Sequence, residues 1–165
     1  MFDTIKTTGT PLILSSVAEV DAAEAKIGAR FPLGYREYVT RFGEGVLGGS
    51  YVRIYPPRRI LNGLNNLEEW RARIEEYWFW EDGCEILTKE QALESVIVGD
   101  TVDGDELLFH PNNPDRLVVL PRNSESIFVA GDGLPEAIDW LCSSGTLTEA
   151  FAERDFEPFD SRLGT

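Results

Sequence analysis

Gly43-Glu44-Gly45-Val46-Leu47-Gly48 carries the letters of GxGxxG, the pattern whose glycines let a backbone approach a dinucleotide pyrophosphate. That chemistry needs a strand before the glycines and a helix after them, so that the phosphates meet free N–H groups at the helix start. Here the order is reversed. A helical pattern precedes the glycines, Tyr51-Val52-Arg53-Ile54-Tyr55 follows as a strand, and Glu44 would repel a phosphate. The glycines read instead as a helix stop and a tight turn. A second stretch, Asp100-Thr101-Val102-Asp103-Gly104-Asp105-Glu106, packs acids around a glycine as a calcium loop does. Setting Gly104 as the EF-hand glycine puts Gly99 and Thr101 at ligand positions and His110 at the closing one. The register fails, and the stretch reads as a solvated turn between strands, with no metal and no cofactor expected.

His110 is the one histidine, so any Ser-His-Asp or Cys-His site would have to use that ring. No nucleophile-elbow or papain-like context surrounds a serine or cysteine. Cys84 and Cys142 lack CxxC spacing and read as two buried thiols, with a disulfide as the alternative. Carboxylate pairs of the glycosidase kind arise by chance in a chain with 29 acids, so no catalytic set is assigned.

The chain has 165 residues and a net charge of −14. Residues 1–65 carry 8 basic against 6 acidic side chains, residues 66–94 carry 3 against 9, and residues 95–165 carry 4 against 14. Such an acidic surface disfavours nucleic acid and anionic lipid and steers a basic protein toward it; plain solubility is the bland alternative. No apolar run approaches the roughly 18 residues of a membrane span. The first 16 residues lack a charged-then-apolar leader layout, so a cytoplasmic location is expected.

The elements that must position any site can be read from periodicity. After a turn-rich start, residues 12–14 suggest a short strand or a strap over the core. Ser16-Val17-Ala18-Glu19 fits a capping box, and Val17, Val20 and Ile27 then repeat at helical spacing up to Gly28. Tyr35, Tyr38, Val39 and Phe42 share one face of the next helix, bracketed by Pro32 and Gly43. It is too short to stand alone, so it reads as a joint between a helical half and a β-rich half. Pro56-Pro57 ends the strand at 51–55, and Arg58-Arg59 form a local basic spot. Asn66 caps a third helix with Leu67, Trp70, Ile74, Tyr77 and Trp78 on its apolar side. Residues 88–94 form a short capped helix. Strands are expected at 96–99, 106–110, 117–120 and 126–129, joined by turns short enough for an antiparallel meander. A last firm helix runs from Leu134 through Leu141. Residues 146–156 suggest a further helical turn or two, and the end from Glu157 is expected to fray. No repeat or linker appears, so residues 1–165 read as a single domain.

Four consecutive aromatics, Tyr77-Trp78-Phe79-Trp80, cannot all point into one core, because successive side chains diverge. Either most of them pack inside, or part of the cluster forms a contact patch rimmed by Glu81, Asp82 and Glu85.

Three stretches in order resemble one family. Phe31-Pro32, Tyr35-Arg36-Glu37-Tyr38 and Phe42-Gly43 followed by glycines resemble its opening "LP.dyr.fl...NGG" signature. Val98-Gly99-Asp100 with Gly104-Asp105-Glu106-Leu107-Leu108 resembles its central "igd..gGd.l..d" segment, and residues 127–141 resemble its closing helix. This is the SUKH superfamily, named partly for the fungal Smi/Knr cell-wall assembly regulators, and the match spans roughly residues 16–142. The resemblance implies an α+β fold with helices against a mostly antiparallel sheet and no enzymatic activity. It also implies binding of a protein partner. Bacterial members are mostly regarded as immunity proteins that neutralise toxins, many of them nucleases; the fungal relatives are regulatory modules. The expected function is stoichiometric neutralisation of a basic toxin domain. A regulatory or scaffold module of the same fold is the alternative, and an acid-dependent hydrolase a remote one. The contact candidates are Trp78, Trp80, Glu81, Asp82 and Glu85, then Asp100, Asp103 and Asp105. The oligomeric state is left open.

Overall fold

A computed structural model describes residues 1–11, 13–62, 67–80 and 85–162. Its frame is an eight-stranded sheet in the order β1-β8-β2-β3-β4-β5-β6-β7. The strands are β1 (Lys6–Thr7), β2 (Gly45–Leu47), β3 (Val52–Ile54), β4 (Val96–Thr101), β5 (Glu106–His110), β6 (Asn113–Leu120), β7 (Phe128–Asp132) and β8 (Asp155–Pro158). Among the described residues, only β1 and β8 pair in parallel, and the other pairings are antiparallel. The helices are α1 (Val17–Ile27), α2 (Tyr35–Arg41), α3 (Pro57–Asn62), α4 (Leu67–Glu76), α5 (Lys89–Glu94) and α6 (Leu134–Ser143), with a 3-10 turn at Trp78–Trp80. The expected α+β class and the antiparallel meander are both present.

Local chemistry accounts for the firmest elements. Ser16 and Glu19 form the reciprocal capping box of α1, and Gly28 closes it in the left-handed conformation. Thr88 and Gln91 repeat the box on α5. On α2, Tyr35, Tyr38 and Val39 are fully buried. Tyr35 stacks on Phe31 at 4.1 Å and donates its hydroxyl to the Tyr55 carbonyl, while Tyr38 packs edge-on against Phe156 of β8 at 6.1 Å. Phe31 in turn meets Phe109 of β5 at 6.1 Å. The short helix is therefore held by rings reaching it from β5 and β8, as a joint requires.

Three expectations are corrected, and one helix was not expected at all. The glycine stretch is more than a turn, because it contains β2. Gly43 holds a left-handed φ of +75°, and a Cβ there would fall 1.8 Å from the Ile13 carbonyl oxygen; one at Gly45 would fall 2.3 Å from the Phe156 ring. These glycines serve close packing of chain on chain. Arg58 and Arg59, the local basic spot, lie within helix α3, which has Pro57 at its first position. Asn113, Pro114 and Asp115 belong to β6, not to a turn before it. The C-terminal stretch, expected to be helical and then frayed, forms β8, whose Phe156 is fully buried between β1 and β2. Two residues at 6–7 and four at 155–158 are too short to show period-2 alternation, so long-range pairing alone defines them. The segment at 12–14 forms no strand among the described residues, but Ile13 accepts a hydrogen bond from the Glu44 N–H, as a strap would.

Candidate functional site

Strand alternation and register place a row of side chains on one face of the sheet. Arg53 of β3 is registered against Asp100 of β4, Asp100 against Glu106 of β5, and Glu106 against Leu120 of β6. Phe109 lies three residues beyond Glu106 in β5 and points to the opposite face, where Phe31 meets it. The row thus lies on the face away from α2. Helix α4 covers it: Trp70 is buried there and donates its indole N–H to Glu106 at 3.0 Å.

Between this row and α4 opens a cavity of about 590 Å³, within the ~300–1,000 Å³ typical of small-molecule sites. The sheet contributes Arg53, Tyr55, Ile97, Asp100 and Glu106; α3 contributes Arg59. Arg73 and Glu76 of α4, with Tyr77 and Phe79 just after it, form the opposite wall. Gly104, Pro121 and Arg122 complete the rim.

The carboxylates are held by protein donors. Asp100 accepts Nε and Nη2 of Arg53 at 2.7 and 2.6 Å, and the Tyr55 hydroxyl at 2.6 Å. Glu106 accepts Trp70 and the more distant Tyr77 hydroxyl at 3.4 Å, and pairs with Arg73 at 3.0 Å. Burial pushes the Glu106 carboxyl above its ordinary range, against the opposing pull of Arg73 and these donors. Burial and the Asp100 charge likewise push the Tyr55 phenol well up, so it stays a donor at neutral pH. Arg59 is almost fully buried; its guanidinium lies 4.5 Å from the Tyr55 ring centre and 3.6 Å from Glu44. Arg58 also pairs with Glu44, so one buried carboxylate serves two guanidinium groups.

Of the contact candidates named from the sequence, Asp100 alone is among the described residues that line this cavity. Tyr77 and Phe79, neighbours of the named tryptophans, form its far wall. Asp103 is exposed on the β4–β5 turn. Asp105 is buried in that turn, bonded to the Thr101 hydroxyl at 2.6 Å and to the Arg122 N–H at 2.9 Å, so its role is to fold the turn. Trp80 is half-buried with its indole N–H on the Ile74 carbonyl, and Glu85 is exposed. Glu81, Asp82 and Cys84 lie outside the described residues, as does the side chain of Trp78. Cys142 is a buried free thiol. Sequence reading noted Arg59 only as part of a local basic spot and missed Arg53, Arg73 and Arg122. The one local signal was Arg53, a charge between apolar neighbours in a short strand.

Residues 15–140 match the family model described as SMI1 / KNR4 family (SUKH-1). No curated protein and no solved structure matches the chain. No helix among the described residues is long and apolar enough to cross a membrane.

Proposed function

The chain belongs to the SMI1 / KNR4 (SUKH-1) family, and from that premise we propose that it neutralises a toxin by binding it one to one. The family as a whole fits a protein-binding role, immunity or regulatory, and is generally non-catalytic. The observation that carries the narrower reading is the net charge of −14, which favours a basic partner and steers it toward the molecule. Asp103 and Glu85, neither of which lines the cavity, are exposed. The partner of best fit is a basic toxin domain, a nuclease being one such class, and the reading places the protein in the cytoplasm.

The test is a pull-down from native host lysate at low and moderate salt, followed by mass spectrometry. Recovery of one basic toxin domain, lost as salt rises and weakened about tenfold by Asp103→Lys with Glu85→Lys, supports the proposal. Recovery of several endogenous proteins instead selects the regulatory module. The raised pKa of Glu106 inside a cavity favours a second reading, an acid-dependent hydrolase. Against it, both Glu106 and Asp100 are already occupied by structural donors, where an acid–base pair must face its substrate. Turnover of glycoside substrates abolished by Glu106→Gln would establish that second reading.

A further inference from the structure

The cavity differs in charge from the molecule that carries it. Arg53, Arg59, Arg73 and Arg122 line it against Glu76, Asp100 and Glu106, so its walls hold a local excess of positive charge in a chain of net charge −14. The balance of hydrogen-bonding capacity is more one-sided still. A guanidinium offers five N–H donors and accepts nothing. Asp100 and Glu106 each take donors from the protein itself, which fills much of their acceptor capacity. Among the described residues, Arg53 engages Asp100 through Nε and Nη2 and Arg73 meets Glu106 through Nη1, which leaves each of these two guanidinium groups further N–H donors. Arg59 shares Glu44 with Arg58 at 3.6 Å, beyond hydrogen-bond length. Arg59 is the buried one of the four, whereas Arg53 is half-buried and Arg73 and Arg122 are exposed, so the exposed pair can swing onto an anion at the mouth while Arg59 holds its place inside. The remaining wall is apolar, formed by Tyr55, Tyr77, Phe79, Ile97 and Pro121, with the Tyr77 and Phe79 rings edge-on to each other at 83°.

We propose that this cavity binds a small organic anion, a carboxylate or phosphate carried on an apolar body. The anion meets the guanidinium groups of Arg59, Arg73 and Arg122, and the body lies against Tyr77 and Phe79. Arg59 is pre-positioned by its burial against the Tyr55 ring, so little side-chain freedom is lost on binding. The proposal stands apart from the toxin reading; either can fail alone.

The test is an amide NMR titration of the full chain with four probes: indole-3-acetate, tryptamine, adenosine 5′-monophosphate and inorganic phosphate. Indole-3-acetate and tryptamine share a ring and differ in charge; the nucleotide and inorganic phosphate share the anion and differ in the body. The expected result is saturable shifts at Arg53, Gly104 and Arg122 with indole-3-acetate or the nucleotide, at Kd of about 1 mM or tighter. Which of the two binds assigns carboxylate or phosphate. Tryptamine and inorganic phosphate should each bind at least about tenfold more weakly, a difference of ~1.4 kcal/mol. Arg122→Ala and Arg73→Ala, both at exposed positions, should weaken binding by a similar factor while leaving the amide spectrum folded. Saturation by neither organic anion, equal binding of tryptamine, equal binding of inorganic phosphate, or indifference to both arginine variants would overturn the proposal.

Discussion

Glu106 shows how one side chain takes a role its sequence neighbours do not announce. In the sequence it is the last acid of a turn; in the fold it sits under α4 with Trp70, Tyr77 and Arg73 around it. Removing its closest neutral donor by Trp70→Phe should cost about 1–3 kcal/mol, read from urea unfolding midpoints, because a buried carboxylate loses a partner. Its titration has a definite sign. With the folded-state pKa raised above the ordinary 4.5, the folded protein binds the proton more tightly than the unfolded chain. The Glu106 contribution to stability is therefore fully present below pH 4.5 and lost as pH rises from there through the folded-state value. Asp115 runs the other way. The Arg30 guanidinium and the Leu33 N–H hold its carboxyl below 3.8, so its contribution is present above 3.8 and lost as pH falls through the lower folded-state value. Unfolding measured from pH 3 to 7 should show Glu106→Gln removing the decline above pH 4.5 and Asp115→Asn reducing the loss on the acid side. A slope above pH 4.5 unchanged in Glu106→Gln would assign it to another group.

At the scale of elements, the caps were legible because they are local: a serine or threonine with a Glu or Gln three residues on satisfies the same N–H groups wherever the helix lies. The glycines were only half legible. Gly28 and Gly43 both hold left-handed φ, +79° and +75°, yet a Cβ at Gly28 meets nothing within 4 Å while one at Gly43 collides with Ile13. Gly28→Ala should thus cost about 1–2 kcal/mol for backbone conformation alone. Gly43→Ala should cost distinctly more, since the strap at Ile13 must move; paired urea titrations of the two variants measure the difference. Equal midpoints would mean that the strap yields freely.

For the whole molecule, β8 joins the two ends of the chain into the sheet, lying between β1 and β2 with Phe156 against Tyr38 and Phe42. Phe156→Ala should destabilise by about 3–5 kcal/mol, the range for losing a buried aromatic ring. Removal of residues 155–165 should abolish cooperative unfolding, because β1 loses its neighbour in the sheet and β2 keeps only β3; calorimetry distinguishes this from a frayed tail, which would leave the transition intact.

The amino-acid sequence alone determined what rests on neighbours a few residues apart. The α1 and α5 capping boxes, the aromatic face of α2, the meander from β4 to β7 and the acidic charge all follow from local spacing or simple counting. The resemblance to the SUKH superfamily was legible for the same reason, as three short stretches in order. Only the tertiary structure decided the pairing of β1 with β8, the burial of Asp105 and Glu106, and the meeting of four arginines at one cavity. Arg53, Arg59, Arg73 and Arg122 stand on β3, α3, α4 and the chain beyond β6, and no periodicity links them. Their proximity is set by strand register and by the helix laid across it, and both are consequences of burying the whole core at once.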